Sequence, residues 1–358
     1  MKKVFAEVKK KKLKIGVYPY TYARISAMKS KLLSRDDYNK LLKMKISEIA
    51  RFLQEMGYKK EIDELGVRYA GVELLEHSLK RSLVRDFIKL KIIAEDDNLR
   101  QIMVEYMKRN DIYNIKTIIR GKFTGENEEK IKELLVPVGV LDEAFLLGLL
   151  KKDFEEILKI AQSLFSIDNE SFKEAYSSLK ENNSLFEIEN LLDHTYYSQF
   201  FKFADRMPVQ GNVLKEFIEN EIDTLNIAVL MRLKKEGMAK KDIEKYLFYA
   251  GAKITKEMLR KLSESENLKE FLDRLSRISG FGFVRQISEK EDYIIEILLK
   301  KRLLNNAILL LHKNPLTIDI ILGYMFAKEI EIRNLMTIIK GKQLGFEESV
   351  IEKELVIG

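Results

Sequence analysis

Few side chains in this sequence could do covalent chemistry. There is no cysteine, which removes disulfides, thiolate metal sites and a thiol nucleophile. The three histidines, His77, His194 and His312, stand too far apart for a paired zinc helix. Two of them follow an acid, as Glu76-His77 and Asp193-His194, while the corresponding later position reads Asp292-Tyr293. An acid–base site repeated in each unit would not exchange histidine for tyrosine, so these rings read as helix-packing residues. Gly121-Lys122 and Gly341-Lys342 lack the preceding glycine and following hydroxyl of a phosphate loop. Gly280-Phe-Gly282-Phe lacks a third glycine and a preceding strand, and reads as a hinge between helices. No G-x-S-x-G elbow occurs. The adjacent acids Asp96-Asp97 and Glu128-Glu129 suit helix N-termini, which favour negative charge.

What does recur is a spacing. Asp111-Ile-Tyr-Asn114 leads to Arg120 and Lys122; Asp223-Thr-Leu-Asn226 leads to Arg232 and Lys234; Glu331-Ile-Arg-Asn334 leads to Lys340 and Lys342. A glycine (Gly125, Gly237, Gly345) follows each asparagine by eleven residues, and an isoleucine (Ile131, Ile243, Ile351) follows each glycine by six. The copies recur roughly 110 residues apart, a distance that means repeated domains rather than a short solenoid unit.

Each copy predicts a long helix, a glycine turn and a short helix. Ile115, Ile118 and Ile119 give the apolar stripe of the first copy, matched by Ile227, Leu230, Met231 and by Leu335, Ile338, Ile339. The short helices are expected over 129–136, 241–249 and 347–356, closed in the first two copies by Gly139 and Gly251 as C-terminal caps. Asparagine is a poor mid-helix residue, so its threefold recurrence predicts an amide bonded to a neighbouring helix or loop. The basic pair in the last turn complements the helix dipole and can bond free carbonyls. It could also line one rim of the assembly and meet an acidic partner or anionic headgroups. A degraded copy is expected at the N-terminus with Ala23 at the asparagine position. Further amphipathic helices are expected near 72–93, 153–166, 185–206 and 289–304, the last opened by a Ser288-x-x-Glu291 capping box.

At 358 residues the chain can form several ordinary domains. The boundaries suggested are 1–110, 111–222 and 223–330, with 331–358 a half-repeat that completes the first domain and closes a ring. With 33% charged residues, four prolines and no tryptophan, the composition is that of a helical protein. The net charge of +7 is a mild bias, 63 basic residues against 56 acidic, and Lys9–Lys12 is the only dense basic run. No secretory signal is visible, and the apolar run Ile320–Ala327 is too short to span a bilayer. The expected chain is soluble and cytoplasmic, without a transmembrane segment of its own.

The Asp-x-x-Asn helices at Asp111 and Asp223, the Glu331 variant, and Tyr-Thr-Tyr-Ala-Arg-Ile at 20–25 leading to Lys29-Ser-Lys-Leu-Leu resemble the C subunit of archaeal-type (A/V-type) ATP synthases, related to the d subunit of eukaryotic V-type ATPases. The resemblance covers essentially the whole chain. It implies an all-α fold of three similar helical domains in a pseudo-threefold, funnel-like arrangement. It implies a non-catalytic rotor subunit without cofactor or metal, peripheral on the cytoplasmic face of the membrane, joining the central-stalk subunits of the soluble head to the proteolipid ring. A generic helical scaffold is the alternative. A nucleic-acid binder fits less well, because basic and acidic residues nearly balance and no aromatic-interleaved basic segment appears.

Overall fold

The computed structural model describes residues 18–207, 210–235, 243–286, 292–313 and 316–357. The basic run Lys9–Lys12, Gly237, the Ser288–Glu291 capping box and the Tyr293 side chain lie outside the described residues. Among those described, every regular element is helical, so the fold is all-α.

The N-terminal stretch contributes α1 (Pro19–Lys29), α2 (Arg35–Lys43), α3 (Ile46–Leu53), α4 (Lys59–Leu65) and the long α5 (Gly71–Ile93). Then follow α6 (Asp97–Phe123), α7 (Glu128–Leu134), α8 (Glu143–Leu150), α9 (Phe154–Leu164), α10 (Asn169–Asn182) and α11 (Phe186–Asp205). The remainder is α12 (Gln210–Lys235), α13 (Lys256–Ser263), α14 (Leu268–Ser276), α15 (Asp292–Lys313), α16 (Asp319–Gln343) and α17 (Glu348–Glu354). The three longest helices, α6, α12 and α16 with 27, 26 and 25 residues, carry the three copies of the repeated spacing.

Local chemistry fixes where these helices begin. Ser34, Asp96, Asp142, Asp153, Asp168, Thr255 and Asn267 each stand at an N-cap and accept a backbone N–H from the first turn. Such a cap is worth about 1 kcal/mol. The first and third signature helices end on a left-handed glycine. At Gly125 (φ 68°) and Gly345 (φ 73°) the Glu126 and Phe346 amides donate back to the Gly121 and Gly341 carbonyls. Those two bonds, with Gly125 N–H to Lys122 and Gly345 N–H to Lys342, form the Schellman motif.

Gly121 and Gly341 have a different reason to lack a side chain. A Cβ there would fall 2.4 Å and 2.6 Å from the side chains of Ile131 and Ile351, so each glycine lets the short helix seat on the long one. The second copy has Leu233 at that position; residues 236–242 lie outside the described ones, and a 3₁₀ turn, Glu244–Tyr246, follows Ile243.

One core cluster contains residues from both ends of the chain, Tyr18 and Ile25 as well as Leu355 and Val356. A second is confined to Ile227–Leu299. The apolar run Ile320–Ala327 is buried on all sides in α16, between α15 and α5. At the N-terminus, Ala23 is exposed on α1 and does not play the asparagine's part. His77 stacks near Tyr69 (4.3 Å), and His194 lies flat on Phe248 at 3.7 Å. Burial pushes the His194 imidazole down to about 4, as a neutral packing ring requires. No helix among the described residues is long and apolar enough to cross a membrane.

Candidate functional site

Each signature asparagine holds the residue 22 positions on, by two bonds. Asn114 donates to the Val136 carbonyl and accepts the Val136 amide, both at 2.8 Å. Asn226 does the same with Phe248 (2.8 and 2.8 Å), and Asn334 with Val356 (2.7 and 2.9 Å). A side-chain amide has one donor face and one acceptor face in the geometry of a peptide group, so it can pair both groups of an extended residue that leaves the short helix. All three asparagines are buried.

The carboxylate three residues earlier holds the chain where the next helix starts. Asp111 accepts the amides of Val140 (2.9 Å) and Leu141 (3.0 Å); Asp223 accepts those of Lys253 (2.8 Å) and Ile254 (3.1 Å). Leu141 and Ile254 immediately precede the N-caps of α8 and α13. This contact corrects the reading of Gly139 and Gly251 as helix caps. They lie five residues beyond the helical turns, neither has positive φ, and a Cβ on either would sit 1.9–2.0 Å from the aspartate Oδ1. They are glycine because a carboxylate needs the space.

In the third copy the acid turns to the other end of the chain. Glu331 accepts the Leu33 amide at 2.5 Å, and Leu33 immediately precedes the N-cap of α2. The longer acid also accepts from the Tyr58 hydroxyl (2.5 Å) and from Lys328 (2.8 Å). Lys342 reaches the Leu42 carbonyl at the end of α2 (2.5 Å), as Lys234 reaches Ser263 at the end of α13 (2.8 Å). These lysines bond the carbonyls of another helix, not of their own. Lys122 departs from both and pairs with Glu128 at 2.7 Å.

Five residues before each asparagine stand Arg109, Glu221 and Glu329, and these converge. Arg109 pairs with Glu221 at 2.7 Å, while Glu329 accepts from Tyr106 (2.8 Å) and Asn110 (3.3 Å). Below them the rings of Tyr106, Phe217 and Phe326 meet at 5.9 and 5.7 Å, so α6, α12 and α16 touch at one place. Burial pushes the Glu221 carboxyl up, opposed by Arg109; burial alone would lower the Arg109 pKa, but Glu221 holds it above its ordinary range. No single residue type marks this cluster in the sequence, since the first position is basic and the other two are acidic.

Above the cluster opens a cavity of about 940 Å³ bounded by α5, α6, α7, α11, α16 and α17. Tyr113, Leu134, Leu344, Phe346 and Val350 present apolar surface there, and Leu344 and Phe346 are 67% and 55% exposed. Of the signature bases only Arg120 and Lys340 line it, and both are paired, Arg120 with Glu189 (2.6 Å) and Lys340 with Glu76 (3.4 Å). Arg232 lies over the Phe186 ring instead, 4.9 Å from its centre. The basic helix ends therefore do not form one shared rim.

The profile of the ATP synthase (C/AC39) subunit family matches residues 21–354. The chain belongs to that family. Among curated relatives, proteins described as the C subunit of A-type ATP synthase from Methanococcoides burtonii, Methanosarcina acetivorans and Archaeoglobus fulgidus are 36%, 34% and 33% identical. The alignments cover 95%, 97% and 96% of this chain and 94%, 95% and 97% of those proteins. Across this C/AC39 chain, then, the motif that carried the resemblance is a set of buried pins between helices. Among the described residues no cluster of metal-ligating side chains occurs.

The pins carry two testable consequences. Asn226→Leu orphans both backbone groups of Phe248 and should lower stability by about 1–3 kcal/mol in urea unfolding, against a few tenths for a substitution of an exposed residue. Burial raises the Asp111 carboxyl from its ordinary 3.8 to about 6, with the two amide bonds opposing. The folded chain thus binds more protons than the unfolded chain between those values, and stability falls as pH rises through that window. Relative to Asp111→Asn, the native chain should lose stability between pH 3.8 and about 6; a parallel pair of curves would contradict the assignment.

Proposed function

We propose that this chain is the C subunit of an A-type ATP synthase and acts without catalysis, as a socket between the central stalk and the membrane proteolipid ring. In this reading three similar helical units, about 1–110, 111–222 and 223–330, are arranged around a pseudo-threefold axis as a funnel, with 331–358 completing the first. The convergence of Arg109, Glu221 and Glu329, at matched positions on the three signature helices, supports such an axis. The carrying observation is the cavity directly above them, whose exposed Leu344, Phe346 and Tyr113 stand among charged side chains of both signs. Apolar anchors within a polar surround are the anatomy of a protein-docking site. Torque transmission needs a rigid seat, and the buried asparagine and carboxylate pins supply rigidity. The opposite surface would rest on the ring at the cytoplasmic face of the membrane, and the paired bases Arg120, Lys122, Lys234, Lys340 and Lys342 act in bracing rather than in binding.

The test is reconstitution. The purified chain should bind a central-stalk subcomplex at one copy per stalk and bridge it to the proteolipid ring. Leu344→Asp with Phe346→Asp should weaken stalk binding by about tenfold or more, ~1.4 kcal/mol, while leaving the helical circular dichroism unchanged. Failure to bind the stalk, or binding indifferent to the two substitutions, would contradict the socket.

A further inference from the structure

A second cavity, of about 440 Å³, lies away from the first, between α1, the break that separates α3 from α4, α5 and α16. Its charged lining is Arg24, Lys31, Arg85, Lys89 and Lys328 against a single carboxylate, Asp86. The inner two cations are fixed. Lys328, 7% exposed, donates to Tyr58 and Glu331 at 2.8 Å and lies 3.6 Å from Asp86. Arg85 donates to both Glu61 oxygens at 2.6 Å, to Asp86 and Ser82 at 3.2 and 3.1 Å, and to the Gly57 carbonyl at 3.4 Å.

The outer three lack such pairing, and Arg24 only lies over the Tyr20 ring, 5.9 Å from its centre. Arg24, Lys31 and Lys89 have no carboxylate within salt-bridge distance among the described residues. They come from two different helices and from the turn after α1, yet face one concavity. Gly57 borders the same concavity: its φ of +98° turns the backbone at the break, beside the Lys31 side chain. Three uncompensated cations in one concavity repel one another, and a multivalent anion would relieve that repulsion.

We propose that this pocket binds a phosphate-bearing anion, gripped by Arg24, Lys31 and Lys89 and backed by the fixed charges of Arg85 and Lys328. Arginine and lysine donors make charge-assisted bonds to phosphate oxygens, and the volume suits a phosphate or diphosphate group rather than a macromolecular partner. The anion would be either a soluble phosphate compound or the headgroup of an anionic lipid. Because the walls come from α1 and α5 on one side and α16 on the other, occupancy would also brace the junction between the two ends of the chain.

The experiment uses the full chain in two arms. Calorimetric titration with pyrophosphate reports a soluble ligand; flotation with phosphatidylcholine vesicles, with and without phosphatidylglycerol, reports a headgroup. Each arm is repeated with Lys31→Gln/Lys89→Gln and with the charge-matched control Lys151→Gln/Lys159→Gln, whose side chains are exposed just after α8 and on α9. Binding in either arm that weakens about tenfold in the pocket variant, ~1.4 kcal/mol, and is unmoved in the control supports the site, and the responding arm identifies the source. Arg24→Gln replaces the double variant should its helical signal fall. No binding in either arm, or equal losses in pocket variant and control, overturns the proposal.

Discussion

A buried carboxylate must find donors, and in this chain the donors are the amides at the start of another helix. Asp111 and Asp223 find theirs some thirty residues downstream, at Leu141 and Ile254. Glu331 finds its own at Leu33, almost three hundred residues upstream, in the matching place before an N-cap. Leaving either side unpaired would cost about 1–3 kcal/mol, more for an ion, so the pairing constrains where α2 can lie. The rest of the N-terminal helices follow: α2 packs on α17, α1 on α16 and α5, and α5 on α16. The additional methylene of glutamate also lets this residue join the buried Tyr58–Lys328–Asp86 network, for which Asp111 and Asp223 have no counterpart.

The same helices do a second task at their other halves. Five residues ahead of each asparagine, Arg109, Glu221 and Glu329 bring α6, α12 and α16 together over a layer of rings. Buried ion pairs contribute little net stability compared with apolar packing, but breaking one leaves a stranded charge. A cluster of this kind favours one arrangement of three helices over near alternatives. It sits under the cavity proposed to receive the stalk.

Much of this could be read from residue order, for physical reasons that are local. Helix lengths follow from the apolar stripes at Ile115–Ile119 and their counterparts, and the asparagine's need for a tertiary partner follows from its poor fit in a helix interior. What was not legible depends on contacts distant in sequence. Gly139 and Gly251 look like helix caps because glycine commonly ends a helix, yet an aspartate 28 residues earlier dictates them. The charge cluster is invisible to pattern, since one position is basic and two are acidic. The short helix expected over 241–249 falls partly outside the described residues, and within them a 3₁₀ turn at Glu244–Tyr246 gives way to extended chain at Leu247. The bases divide among three kinds of partner, an acid, a ring and a carbonyl, which spacing alone does not distinguish.

One carboxylate on α16, that of Glu331, holds the start of α2. Amide hydrogen exchange on Glu331→Ala tests it most directly. The Leu33 amide and the first turn of Arg35–Lys43 should lose protection, while Leu141 and Ile254, held by the other two acids, keep theirs. Unchanged protection at Leu33 would contradict it.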